Sequence, residues 1–117
     1  MSEHPKGLVF NINDATISNT HYRKVIFTAP HMQIVLMSLK YNEAISMEVH
    51  EHTEQFVRVE AGKGVVIVDG TIYEIGDDDA VIIPAGTRHL FRATSPVGLK
   101  LYTIYSSAEH PAGLIEN

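Results

Sequence analysis

The chain has 117 residues, 44% of them hydrophobic, with nine Lys and Arg against fourteen Asp and Glu, a formal net charge of −5 and no cysteine. That length serves one domain with one core, and the lack of cysteine excludes disulfides, thiolate metal sites and cysteine nucleophiles and suits a reducing, cytoplasmic setting. The acidic balance lacks the cationic field that nucleic acid demands, Val65-Val66-Ile67-Val68 is far too short to cross a bilayer, and Met1 to Pro5 lack the apolar stretch of an export signal, so neither nucleic acid nor membrane is an expected partner.

Residues 1–24 carry Asn11, Asn13, Asp14, Ser18, Asn19 and Thr20, and read as a polar, irregular N-terminal arm that either packs on a partner subunit or ends loosely. Residues 25–117 read as a single β domain. No helical period survives a useful window, whereas short runs of Val, Ile, Phe and Tyr recur between Gly, Pro, Asn and Asp. Strands are predicted at Lys24–Thr28, Gln33–Leu39, Ile45–His50, Gln55–Ala61, Val65–Val68, Thr71–Ile75, Ala80–Ile83, His89–Thr94 and Leu99–Tyr105. Glu60-Ala61-Gly62-Lys63-Gly64 and Val68-Asp69-Gly70-Thr71 have the composition of tight hairpin turns, which makes the neighbours antiparallel. So many strands in one small all-β domain need a closed barrel or two packed sheets, because an open sheet would leave long unpaired edges.

Seven histidines direct attention to metal chemistry. In the third predicted strand Ser46, Glu48, His50 and His52 share one parity, and Ile45, Met47 and Val49 share the other. The polar side is either a row of ligands or a solvated face, since an outer strand with its apolar side in the core shows the same alternation. In the next strand Val57 and Val59 belong inside, because Arg58 and Glu60 would be costly there unpaired, and Gln55 shares the valines' parity. Its carbonyl oxygen can serve a metal or be an ordinary hydrogen-bonded amide; Glu54, of opposite parity, is the weaker candidate. The tight turn at Pro84-Ala85-Gly86 then delivers His89 inward, in phase with Phe91 and Ala93. A lone inward histidine is ordinarily a satisfied core residue, but three separate polar groups converging on one interior are explained economically by metal coordination.

The stretch from Glu48-Val49-His50-Glu51-His52 through Gln55 to Gly62 resembles the first motif of the cupin superfamily, a histidine pair followed by an acidic or amide ligand and then glycine. Gly76 to His89, with Pro84, Gly86 and His89 at the expected spacing, resembles the second motif. The tail Lys100 to Tyr105, with His110-Pro111-Ala112-Gly113 after it, is similar to small single-domain cupins, or monocupins, without an assigned reaction. The resemblance implies a cupin-type jelly-roll β-barrel (a double-stranded β-helix), one divalent transition metal ion inside it and a homodimer. Counted back from Gly62, the implied ligands are Glu48, His50, Gln55 and His89; taken from the literal His-x-His they are His50, His52, Gln55 and His89. The distance to Gly62 favours the first set. With Glu48 bound the ion keeps one net positive charge, without it two, and either donor mixture suits Zn, Fe, Mn, Ni or Cu without choosing among them.

Tyr102 and Tyr105 have opposite parity, so at most one lines the interior, and His110 either reaches the barrel mouth or stays on a surface loop. Asp77-Asp78-Asp79 reads as a solvated turn, and His4, His21 and His31 as surface residues. An interior lined by Val35, Met37, Val57, Val59 and Phe91 favours a ligand with apolar and chelating parts. Three functions fit these residues. One is a metal-dependent isomerase, lyase or oxygenase acting on a small polar substrate such as a sugar or carbonyl compound; another is a non-catalytic binding or sensing module for a small molecule. The last is a barrel that binds no metal and serves oligomerisation.

Overall fold

The computed structural model describes residues 7–117, so His4 and the start of the predicted arm lie outside the described residues. Those residues form one short helix, α1 (Ile12–Ser18), and nine strands: β1 (Arg23–Ala29), β2 (Met32–Leu39), β3 (Ala44–Glu48), β4 (Gln55–Val68), β5 (Thr71–Gly76), β6 (Ala80–Ile83), β7 (His89–Ala93), β8 (Leu99–Tyr105) and β9 (Ile115–Glu116). The helix is too short for the periodicity that reveals helices in sequence. It forms where a polar, irregular stretch was expected because the Asn11 side chain accepts from the Asp14 amide at its N-terminus and Thr16 donates back to the Ile12 carbonyl.

All strand pairs are antiparallel, as jelly-roll topology requires, and they make two sheets that share β4. Its first half runs in the order β6-β4-β8-β2-β1-β9, its second half in β3-β7-β4-β5. The two hairpin predictions therefore have different outcomes. Asp69 (φ 49°) and Gly70 (φ 86°) do turn the chain between β4 and β5, the pair of positive φ values that suits a two-residue hairpin loop. Glu60 to Gly64 do not: β4 runs straight through them as one strand of 14 residues. A register shift between Val59 and Ala61 and a left-handed Gly62 (φ 102°) bend it from one sheet into the other. At the bend a Cβ on Gly62 would run into the Gly98 carbonyl, so composition that resembles a turn here serves a crossing of two backbones.

The barrel interior is built by alternation. Gln33, Val35, Met37 and Leu39 of β2, Val57 and Val59 of β4, Phe91 and Ala93 of β7, and Leu99, Leu101 and Thr103 of β8 are all buried there. Leu36 and Tyr102 point the other way and are buried as well. On that outer face α1 lies against β2, β4 and β8, held by Asn13 donating to Glu60 and by the Lys100 ammonium donating to the Asn19 carbonyl. The predicted arm thus includes a helix that docks on its own chain. No helix among the described residues is long and apolar enough to cross a membrane. The Asp77 to Asp79 run is exposed and caps its own turn, Asp77 accepting from the Gly62 amide and Asp79 from that of Gly76.

The crossing gives a stability prediction. Gly62→Ala combines backbone strain with a collision against a carbonyl and should cost more than about 3 kcal/mol. Gly70→Ala meets no described atom within 4 Å and should cost only about 1 kcal/mol from its positive φ. Denaturant melts of the two variants against the parent chain decide it, and equal losses would remove the special role given to Gly62.

Candidate metal centre

Three stretches bring polar side chains to one point inside the barrel. The first is the end of β3 and the loop after it. Pairing between β3 and β7 matches Ile45 with Phe91 and Glu48 with His89, so three steps along β3 face two along β7. The extra residue leaves Ser46 and Met47 exposed, turning both Ile45 and Glu48 inward. The simple alternation of Ser46, Glu48, His50 and His52 against Ile45, Met47 and Val49 does not hold here: Met47 and Val49 are exposed rather than in the core. Glu48 reaches the interior by a bulge, and His50 follows from the loop, its backbone carbonyl held by the Gly86 amide at 2.8 Å. That bond ties the loop to the turn preceding His89.

Gln55 opens β4 and faces inward, while Glu54 is exposed. His89 opens β7 and is 1% exposed, in phase with Phe91 and Ala93. His52 is exposed in the turn before β4. Glu48, His50 and His89 each offer a ligand atom within 4.8 Å of the others. Glu48 Oε1 lies 3.2 Å from His50 Nε2 and 3.9 Å from His89 Nε2, and the two imidazole rings are 5.3 Å apart. Gln55 lines the same cavity with Glu48, His89, Arg23 and Tyr105, against a wall that includes Met37, Val57 and Phe91. Its free space, about 10 Å³, is the room of one water or one ion.

The hydrogen bonds define which atoms face that space. His89 Nδ1 lies 3.0 Å from the Thr87 carbonyl, which can only accept, so Nδ1 carries the proton and Nε2 presents a lone pair. Burial pushes the His89 pKa down, against the Thr87 bond that raises it, with His50 adding to the fall. Its Nε2 and Gln55 Oε1 are buried with no hydrogen-bond partner among the described residues. His50 Nδ1 lies 2.9 Å from Glu109 Oε1, and the Glu109 carboxylate also accepts from the Thr53 hydroxyl. His89 Nε2 and Gln55 Oε1 bring unpartnered lone pairs beside the Glu48 carboxylate, and a neutral His50 can donate to only one of its two carboxylate neighbours, Glu48 and Glu109, so a positive charge among these atoms relieves them. Borderline nitrogen and hard oxygen donors in this mixture fit a first-row divalent ion.

Around this set, Arg23 lies 3.8 Å from Glu48 Oε2 and pairs with Glu116 of β9, with its guanidinium 5.3 Å from the centre of the Tyr22 ring. Tyr105 lines the interior, and burial, reinforced by Glu48, raises its phenol far above the ordinary value, so it stays protonated. His110 reaches it, Nε2 lying 3.4 Å from the Tyr105 hydroxyl, and burial followed by Arg23 lowers the His110 pKa. Sequence reasoning missed Arg23, Thr53 and Glu109. Glu109 stands next to the His110 it did weigh, but a tail without periodicity offers no parity to read.

Comparison with known proteins agrees with this fold. Residues 35–105 match the family model described as "Cupin domain". The chain is similar to the uncharacterised protein YrkC of Bacillus subtilis, with 39% identity over 117 aligned residues that cover 95% of this chain and 63% of YrkC. The chain thus spans under two-thirds of that relative's length. It is similar to a solved structure, BH2720 of Bacillus halodurans, with 41% identity and a TM-score of 0.93 over 96% of this chain and 89% of that one. A weaker similarity, 33% over 91 residues, links 77% of the chain to 27% of the quercetin 2,3-dioxygenase of Bacillus subtilis.

The two lowered histidines give a pH prediction for metal-free protein. His89 and His110 bind protons less readily folded than at the unperturbed value of 6.5, so below that pH the unfolded chain holds more protons than the folded one. Stability should be complete above about pH 7 and fall as the pH drops below 6.5, and His110→Gln should flatten that slope. Urea melts across this range check the sign, and stability rising toward acid would contradict the buried neutral imidazoles.

Proposed function

This chain belongs to the cupin family, and on that footing we propose that it is a metal-dependent enzyme of the isomerase, lyase or dioxygenase kind. Its divalent ion (Zn, Fe, Mn, Ni or Cu) would be held by Glu48, His50, Gln55 and His89, at a site suited to a small polar substrate such as a sugar or carbonyl compound. The observation that carries this reading is the pair of buried acceptors without a partner, His89 Nε2 and Gln55 Oε1, beside Glu48 and His50 around a space the size of one ion. The geometry favours Glu48 over His52 as the fourth ligand, since Glu48 points into the cavity and His52 is exposed. When bound, a divalent ion here would supply Lewis-acid polarisation of a carbonyl, or activation of water or dioxygen.

The chain's own residues define the rest of the chemistry. Glu48 offsets part of the ion's charge and His89 is kept neutral by burial, while Phe91, Val57 and Met37 exclude water from the inner side. Tyr105 keeps its proton and serves as a donor rather than a base. Likeness to a segment of quercetin 2,3-dioxygenase supports the oxygenase member of the set. A non-catalytic binding module is the second reading, favoured by free space that admits an ion but little beside it.

A homodimer is part of the same proposal. Ile82, Phe56, Ile104, Ile34 and Phe27 are cross-strand neighbours in a row over five adjacent strands, on the face opposite the interior. Ile82 is 64% exposed and Met32 beside the row 39%. Ile34 is buried and Phe56, Ile104 and Phe27 are half-buried, but the exposed apolar end of the row at Ile82 and Met32 suits association with a second copy.

Metal analysis of untagged protein should find about one divalent ion per chain, and His50→Ala or His89→Ala should weaken binding by more than about 100-fold. Sub-stoichiometric metal that added ions do not restore would overturn the reading. In light scattering the parent chain should run as a dimer and Ile82→Lys as a monomer; a monomeric parent removes the dimer from the proposal.

A further inference from the structure

We propose that Glu109, carried by the C-terminal segment rather than by the barrel, is a positioning residue that orients His50 for the metal. This rests on the metal-binding reading above and adds to it a residue outside the ligand set. Three observations support it.

The first is the contact itself. Glu109 Oε1 lies 2.9 Å from His50 Nδ1, the ring nitrogen turned away from Glu48 and His89. A carboxylate there accepts the Nδ1 proton, leaves the Nε2 lone pair toward Glu48 and His89, and makes the ring a stronger donor. His89 receives the same service from the Thr87 carbonyl, so both imidazoles have their outer nitrogen occupied and their inner nitrogen turned toward Glu48. The His50 arrangement differs because its partner is anionic.

The second is that the carboxylate is itself held. Its other oxygen accepts from the hydroxyl of buried Thr53, which lies 2.8 Å from the Ser107 hydroxyl. Thr53 and Ser107, from two segments, thus fix the direction from which Glu109 meets the ring.

The third is the anchoring of the segment. Gln33 of β2, wholly buried, spends its entire side chain on the task. Its Oε1 accepts from the backbone amides of Glu109 at 3.0 Å and His110 at 3.1 Å, and its Nε2 donates to the His110 carbonyl at 2.7 Å and to Thr28 at 3.0 Å. Burying an amide at the barrel's heart to grip two consecutive residues of the tail is costly unless all its groups are met, and here they are. Farther along, the Leu114 carbonyl accepts from the Val25 amide, and Glu116 pairs with Arg23. The tail is fastened on both sides of Glu109.

The test compares Zn(II) and Co(II) affinities, measured by chelator competition on the full chain, for the parent, Glu109→Ala, Glu109→Gln and Glu51→Ala. Glu51 is exposed next to His50, so its variant removes the same charge without the hydrogen bond. Glu109→Ala should weaken both ions about 10–100-fold and alter the Co(II) ligand-field spectrum, with the metal-free melting temperature little changed. Glu109→Gln, which keeps an acceptor but not the charge, should fall between it and the parent, and Glu51→Ala should match the parent. Should Glu109→Ala hold its ion within about threefold of the parent, with the same spectrum, the assignment fails while the metal site stands. Equal losses in Glu51→Ala and Glu109→Ala would reduce Glu109 to a distant charge and also defeat it. A parent chain that binds neither ion defeats the metal reading underneath.

Discussion

A closed wall of strands has forced carboxylates, imidazoles and an amide together with too few protons to satisfy them all. Glu48 Oε1 confronts the inner nitrogens of His50 and His89, and the Gln55 carbonyl oxygen adds a further lone pair that no described group satisfies. In water such an arrangement would be relieved by solvation; inside the barrel, beside Phe91 and Val57, it is not. Each neighbouring feature follows from that conflict. Thr87 and Glu109 occupy the outer nitrogens and leave the inner ones turned toward Glu48, and burial lowers the His89 pKa.

Delivering four side chains to one point requires the backbone to depart from regular geometry at particular places. β3 takes an extra residue so that Glu48, two positions before His50, can point inward. β4 bends at Gly62 so that one strand starts the first sheet with Gln55 and ends in the second beside β7 and His89. Because β4 belongs to both sheets, the positions of Gln55 and His89 are linked through a single backbone. Packing of the barrel and geometry of the site are in this sense one problem.

The sequence made the inward faces of β2, β4, β7 and β8 legible, because alternation there is regular and the core valines mark it. It was legible too that Gln55 and His89 face inward, each sharing a parity with neighbours of clear preference. What escaped was everything that depends on irregularity. A bulge at Ser46 and Met47 reverses parity without leaving any trace in composition, and Gly62 looks the same whether it turns a chain or lets two backbones cross. The motif spacing, counted from Gly62, placed Glu48 in the cavity where simple alternation reached it only by assuming an unbroken pleat. The short α1 rests on local caps in a stretch too brief to show a period, and the tail contacts of Glu109 join residues tens of positions apart, beyond the reach of any local window.

The fastening of the tail by Gln33 divides the molecule into a conserving part and an adjustable one. Strands carry Glu48, Gln55 and His89, whose placement cannot drift without disturbing the whole barrel, while His50 sits on the loop after β3. Residues 106–116 cross the mouth under their own anchors, and a substitution there reaches the imidazole through one hydrogen bond rather than through the ladder. Such a chain can reset the surroundings of that imidazole by substitutions within eleven terminal positions, leaving its framework as inherited.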